Sequence, residues 1–388
     1  VKEDILIQFK QLEQELANKK REIETLEDVD KWEYYKKIHN PYELVFTTSG
    51  KYPIPSSISV IHPLSRSYFK LIEILMISKV CTTIERSNFR TGHLCEGPGG
   101  FIEAVYTIVE KERKKITKCY AMSLKSTKSH IPGWKRAATF LKKHPEIQII
   151  YGAANTGDIL DPINQESYIH SSTVDGKLYI VTGDGGFDFT TDYYGQERGI
   201  FPLLVATSYI ALQTLSVGNG VFILKIFDVF EEYTQLLLYM LGQCFDKWTL
   251  YKPAMSRPCN SEQYFVGSQF TGAPQQTLQI LSAFSKQFFN YYKTVQQNET
   301  TPLINFDMNI FNSIAKSIYN DNTFVHFQNN LYTNQYNKFI QQKDAIHTTI
   351  EWVQNSTINE AELWTRNYQI SKLYCDTFHI PYKLPATI

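Results

Sequence analysis

Leu94-Cys95-Glu96-Gly97-Pro98-Gly99-Gly100-Phe101 closes a short strand (His93 to Glu96) in a glycine-rich turn and opens a helix running to about Lys111. Glycines at such a junction adopt unusual torsions and let the backbone approach a ligand with no Cβ in the way. A plain tight turn would use them equally well. The turn fits G-x-G-x-x-G poorly and lacks the G-K-[ST] ending of a P-loop, which disfavours a nucleotide-phosphate site.

Outward from this turn, helix and strand alternate. Ser65 to Val80 has helical spacing. Lys118–Leu124, Ile147–Tyr151, Lys177–Thr182 and Gly220–Phe227 read as apolar strands, with helices at Leu203–Leu215 and from about Glu232 to Phe245. Trp248–Tyr251 and Tyr264–Val266 supply the last strands. This alternation predicts an α/β, Rossmann-like fold with a mainly parallel sheet covered by helices on both faces. In such sheets ligands sit at the carboxyl ends of strands, where the strand order reverses.

Two further residues fall at those ends. Asp184, in Gly183-Asp184-Gly185-Gly186, directly follows an apolar strand and reads either as a functional carboxylate or as a turn or helix-cap residue. Lys225 lies inside Val221-Phe222-Ile223-Leu224-Lys225-Ile226-Phe227, a run expected to be buried on both faces. An unpaired buried ammonium is very costly, so Lys225 needs a carboxylate, a ligand or a path to solvent by snorkelling.

Flanking this middle portion, residues 2–28 carry Ile5, Phe9, Leu12, Leu16, Ile23 and Leu26 among charges, an amphipathic helix expected to pack on its own domain. A turn-rich segment containing 51–57 follows. After about residue 275 glycine is absent, Gln, Asn, Tyr and Phe are frequent, and the spacing is mostly helical. The expected organisation is 1–60, an N-terminal helix and turns; 61–272, the α/β domain; and 273–388, a helical C-terminal region.

The bulk properties fit a globular chain. It has 388 residues, 43% hydrophobic and 20% charged, which excludes wholesale disorder. Lys plus Arg and Asp plus Glu number 39 each, so net charge neither points to nucleic acid nor excludes a local basic groove. The six cysteines form no C-x-x-C pair, which disfavours a zinc site; they read as buried thiols in a reducing, cytoplasmic setting. No apolar run is long enough for a membrane span, and the sequons at Asn298 and Asn355 are read as inert.

Taken together, Cys95-Glu96-Gly97-Pro98-Gly99-Gly100-Phe101, Asp184-Gly185-Gly186-Phe187, Lys225-Ile226-Phe227-Asp228, Lys252-Pro253, Ser256-Arg257-Pro258 and Asn260-Ser261-Glu262 resemble the FtsJ-like ribose 2′-O-methyltransferases, particularly their cap-specific mRNA branch. The resemblance covers about residues 60–268. The Tyr- and Asn-rich flanks look like those of a version from a large cytoplasmic DNA virus. The resemblance implies a class I methyltransferase sheet, S-adenosylmethionine as cofactor and capped RNA as partner. The C-terminal region, which it does not cover, is a separate candidate to dock the capping or transcription machinery. It implies a Lys–Asp–Lys–Glu tetrad: Asp184, Lys225 and Glu262, with Lys70 as the first lysine because Arg66 lies four residues before it, and Lys79 as the fallback. It also assigns cofactor binding to residues Cys95 through Phe101, Asp158, Ile159 and Asp184, and no metal. Ser65 stands where the family usually has a larger polar residue.

A ribose hydroxyl needs a general base within hydrogen-bond reach. Lysine, with a reference pKa of about 10.4, is rarely neutral at pH 7, but burial and a second cation lower that value. The expectation is therefore Lys225 as base with a lowered pKa, Lys70 beside it, and Asp184 and Glu262 orienting both. Lys252, Arg257 and Asn260, near Glu262, are candidates to hold phosphate or ribose. Lys135, Arg136, Lys142 and Lys143 beside Trp134 read either as a second RNA contact or as a solvated helix face with one packed ring. Competing readings are 2′-O-methylation of another RNA, such as ribosomal RNA, and a non-catalytic RNA-binding subunit that kept the fold.

Overall fold

A computed structural model describes residues 2–84, 88–125, 133–186, 195–297, 305–315, 321–355 and 358–383. Phe187 and the sequon asparagine Asn298 lie outside them. Seven strands form one sheet: β1 Asn88–Leu94, β2 Lys115–Met122, β3 Ile147–Ile149, β4 Ile180–Gly183, β5 Val221–Ile226, β6 Phe245–Tyr251 and β7 Gln263–Phe270. Their order is β3-β2-β1-β4-β5-β7-β6. All neighbours are parallel except β7, which runs antiparallel to β5 and β6. The order reverses between β1 and β4, so the glycine turn after β1 opens at the crevice where an α/β sheet takes its ligand.

The strands centre on runs of branched and aromatic residues that bury on both faces. Val221, Phe222, Ile223 and Leu224 of β5, for example, are each at most 2% exposed. Helices cover the sheet: α3 Ser67–Ser78, the short α4 Val80–Thr83, α5 Gly100–Lys111, α6 Ala138–Lys143, α7 Pro162–Thr173, α8 Gln196–Thr214 and α9 Glu232–Gly242. Helix α5 begins at Gly100, packs beside α3, and buries Phe101, Ile102, Val105, Ile108 and Val109. Several boundaries differ from the sequence expectation: β1 begins at Asn88, not His93, β6 at Phe245, not Trp248, and α7 was not anticipated. Helix α8 begins at Gln196 instead of Leu203, with Pro202 held inside it, and β4 begins three residues after Lys177.

The flanks are helical. N-terminally, α1 Lys2–Glu24 is followed by α2 Val29–His39, a helix not anticipated in the turn-rich reading, and by a single 3-10 turn, Glu43–Val45. Asp28 ends the first helical stretch because its side chain caps α2, accepting from the Lys31 N–H at 2.9 Å. C-terminally, α10 Gln275–Gln297, α11 Ile310–Ala315, α12 Asp321–Asn355 and α13 Glu360–Thr377 complete the chain. Helix α1 lays its apolar stripe on α12, with Phe9 stacked on Tyr332 at 4.2 Å between ring centroids. One apolar core runs without interruption through both flanks and the sheet.

Candidate active site

Strand register builds the site. Leu94 pairs with Gly183, Gly183 with Leu224, and Lys225 with Tyr264. The next residues, Cys95, Asp184 and Lys225, therefore form a row at the carboxyl edge of the parallel strands, and Tyr264, near the start of antiparallel β7, extends it by pairing with Lys225. Lys225 Nζ donates to the Asp184 carbonyl at 2.9 Å and lies 3.4 Å from its Oδ1. The Tyr264 hydroxyl donates to the same Oδ1 at 3.1 Å, while its ring packs 5.7 Å from that of Phe101.

Glu262 arrives from the loop that enters β7, and Lys70 from α3; their side chains meet at 2.6 Å. Lys79 sits exposed at the left-handed C-cap of α3, so of the two lysines it is Lys70 that reaches the row. Burial disfavours the Glu262 anion, but Lys70, Lys225 and Lys252 outweigh it and hold the carboxyl down at about 2. Lys225 departs from expectation. Burial lowers its pKa, yet Asp184 and Glu262 outweigh burial and the net shift is upward. The second cation does not decide the balance, because two carboxylates face this ammonium.

The glycine turn is a cradle with little room to spare. Gly99 sits at φ +111°, and a Cβ on Gly100 would stand 2.1 Å from Ser65 Oγ. A Cβ on Gly185 would stand 2.5 Å from Leu203 Cδ2 and 2.9 Å from Cys95 Cβ. Gly157 (φ +67°) leads into half-buried Asp158, whose Oδ1 accepts from the Leu160 N–H at 3.0 Å, and into buried Ile159. Burial pushes the Asp158 carboxyl up, and its charge is felt at Cys95, which places this loop against the glycine turn. Half-buried Trp134 packs toward Gly99, whereas Lys135, Arg136, Lys142 and Lys143 are exposed.

Three of the expected site residues have protein partners. Glu96 is 4% exposed and turned inward, accepting from Thr182 and lying 3.1 Å from His93 Nδ1, so its carboxylate belongs to a buried network behind the turn. Lys252 bonds the Asn260 carbonyl and, at 3.2 Å, the Glu262 carbonyl, which folds the loop on itself; burial lowers its pKa to about 8. Arg257 grips Glu43 through two bonds of 3.0 and 2.8 Å. Both cations are spent on protein partners, and of the three residues expected to touch RNA only Asn260, half-buried at the loop's end, keeps its side chain out of such a clamp. Tyr264 and Glu43 carried no motif, and their partners lie far away in sequence.

Residues 63–270 match the model of a family described as FtsJ-like methyltransferase. The cap-specific mRNA (nucleoside-2'-O-)-methyltransferase 1 of Trypanosoma brucei brucei is 30% identical over 197 residues, 51% of this chain and 51% of that one. The cap-specific mRNA (nucleoside-2'-O-)-methyltransferase of Autographa californica nuclear polyhedrosis virus is 31% identical over 212 residues, 55% of this chain and 75% of that one. The Drosophila melanogaster cap-specific mRNA (nucleoside-2'-O-)-methyltransferase 1 is 32% identical over 176 residues, 45% of this chain and 21% of that one. The chain thus spans about half the length of the trypanosome relative.

Proposed function

The chain belongs to the FtsJ-like methyltransferases, and from that premise we propose that it transfers a methyl group from S-adenosylmethionine to a ribose 2′-hydroxyl of RNA, next to the mRNA 5′ cap. The observation that carries the reading is the Cys95–Asp184–Lys225–Tyr264 row with the Lys70–Glu262 pair against it. A binding subunit has no use for two half-buried lysine–carboxylate pairs at a sheet's ligand edge. The names of the relatives support capped mRNA as the substrate, and six unpaired thiols support a reducing, cytoplasmic setting.

Residues 95 and 97–101, with Asp158 and Ile159, would hold the cofactor: they supply close backbone, a half-buried carboxylate and an apolar wall. When bound, it supplies a methyl group made electrophilic by a sulfonium. The rest falls to side chains of this chain. As the hydroxyl oxygen took the methyl group that the cofactor would supply, leaving the donor as a neutral thioether, the hydroxyl proton would pass to neutral Lys225 Nζ. Lys225 starts as an ammonium, because Asp184 and Glu262 hold its pKa up, and must first release a proton to solvent. Positive charge brought beside Cys95 makes that release easier. Asp184, fixed by Tyr264, then receives the re-formed ammonium.

Lys225→Ala and Asp184→Ala should each lower methyl transfer to capped RNA by about 10²- to 10⁴-fold, while calorimetric binding of S-adenosylmethionine survives in Lys225→Ala. Near wild-type turnover in either variant rejects these roles. Equal transfer to capped and uncapped RNA of one sequence would replace the cap reading with that of another RNA target.

A further inference from the structure

Residues 2–60 lie outside the family match, which begins at residue 63, yet they place a buried carboxylate behind the catalytic pair. Glu43 opens the 3-10 turn and is fully buried. It accepts from Arg257 Nε and Nη2 at 3.0 and 2.8 Å, from Asn40 Nδ2 at 2.9 Å and from Thr47 Oγ1 at 2.9 Å, and pairs with Arg66 Nη2 at 3.2 Å. Arg66 also donates to the Phe46 carbonyl and, at 3.0 Å, to that of Met255.

The positions of the two arginines give this cluster its meaning. Arg66 is the N-cap of α3, about one helical turn before Lys70. Arg257 lies in the loop that ends at Glu262, five residues on. The two arms tipped by Lys70 and Glu262 are thus fixed at their bases to one carboxylate, and the 2.6 Å contact at their tips closes the ring. We propose that Glu43 is a positioning residue for the methyl-transfer site: through Arg66 and Arg257 it sets the Lys70–Glu262 pair against Lys225. This rests on the methyltransferase reading above.

Other contacts agree. Glu73, one turn beyond Lys70, accepts from the Tyr251 hydroxyl at 2.6 Å, the Ala254 N–H at 2.9 Å and the Tyr374 hydroxyl at 3.0 Å, which binds α3 to the start of the same loop and to α13. Lys37 and Glu33 are further charged side chains felt near the cluster; Lys37 Nζ is turned to the Thr48 carbonyl at 2.8 Å, and Glu33 pairs with Lys36. A misplacement of about 1 Å at a reacting centre costs on the order of 100-fold in rate, so a rigid base behind the pair has a kinetic purpose that packing alone does not require.

The test uses the full chain and capped RNA. Glu43→Gln keeps the shape and removes the charge. Because it leaves two buried guanidinium groups facing an amide, it is paired with Glu43→Gln/Arg257→Gln, which restores charge balance, and with Glu43→Asp, which keeps the charge but withdraws it. In the Gln variants kcat per folded molecule should fall about 10- to 100-fold, with KM for S-adenosylmethionine within about twofold of wild type. The rise of kcat with pH should move to lower pH by about half a unit or more, because a displaced Glu262 no longer holds the proton on Lys225. Glu43→Asp should recover part of both effects. If whichever variants fold keep the wild-type kcat and pH midpoint, Glu43 is structural only and the proposal is overturned. A wild-type chain that methylates no RNA overturns the functional reading first and the positioning role with it, so the two failures are told apart by the wild-type assay.

Discussion

Tyr264 stands across the β5–β7 ladder from Lys225, and its hydroxyl reaches the same Asp184 oxygen that the ammonium faces. The phenol is fully buried. Its effect is to fix the carboxylate that receives the ammonium. Tyr264→Phe keeps the ring on Phe101 and removes one donor, so kcat should drop about 10-fold for a stability loss of about 1–2 kcal/mol. A wild-type rate in this variant would show that strand geometry alone holds Asp184. At the same scale, a base whose proton two carboxylates retain makes kcat climb with pH from 7 upward, and a profile already flat at pH 7 would remove Lys225 from the role. Asp184, Lys225 and Glu262 were legible because each sits in a compact string of unusual residues. Tyr264 was not, because a tyrosine in an apolar strand reads as core, and its hydroxyl partner is 80 residues away.

At the level of elements, the approach of α3 to α5 matters most, because α3 carries Lys70 and α5 opens on the glycine turn. Gly100 permits that approach: a Cβ there meets Ser65 Oγ at 2.1 Å, Ser67 Oγ at 2.6 Å and the Tyr68 backbone nitrogen at 3.2 Å. Alanine gains about 1 kcal/mol over glycine in helix propensity, but overpacking costs about 1–3 kcal/mol, and here one obstacle is backbone. Gly100→Ala should therefore lower the urea midpoint, and the displaced α3 should lower kcat as well. A stabilised, fully active variant would mean that α3 is free to give way. Most strands of the sheet domain were legible from their apolar runs, but α7, whose buried face carries Asn164, Gln165 and Ser172, was not. Nor was helix α2. Its Trp32, Tyr35 and Ile38 are buried, but they sit among charged residues, and Asp28, which reads as one more helical acid, in fact caps the helix. Helix α8 starts at Gln196, seven residues before Leu203, and absorbs Pro202, a residue that helix propensity treats as a breaker.

Across the molecule, the balance of 39 basic and 39 acidic residues hides buried pairs that bind the flanks to the centre. Lys20 of α1 pairs with Asp228, three residues beyond Lys225, with both side chains about 5% exposed or less. Removing one partner of such a pair costs about 3–5 kcal/mol, so Lys20→Met should destabilise the whole chain in a urea melt, whereas Lys51→Met, which removes the exposed pair with Asp30, should not. Such pairs are invisible in sequence because charge type says nothing about a partner about 200 residues away.

The same buried groups set the response to acid. Glu43 and Glu262 are held down at about 2, below an unfolded value near 4.5, so their contribution is complete above about pH 4.5 and lost as pH falls toward 2. His39, half-buried and held at about 4, is neutral in the fold, so its contribution fades from pH 6.5 down to 4. Glu197 acts in the opposite sense: raised to about 8 by burial and by Asp228, it binds its proton first in the folded state, which favours folding as pH drops from 8 to 4.5. Between pH 6.5 and 4.5 His39 and Glu197 oppose each other, and below pH 4.5 Glu197 no longer compensates for the loss from Glu43 and Glu262. The urea midpoint should therefore rise as pH falls from 8 to about 6.5, change little from there to 4.5, and then fall steeply. Glu197→Gln removes the compensating group, so the decline should begin near pH 6.5, and Glu43→Gln should blunt the fall below pH 4.5. A midpoint that declines evenly from pH 8 in the wild type would mean that these buried charges do not govern the stability of the chain.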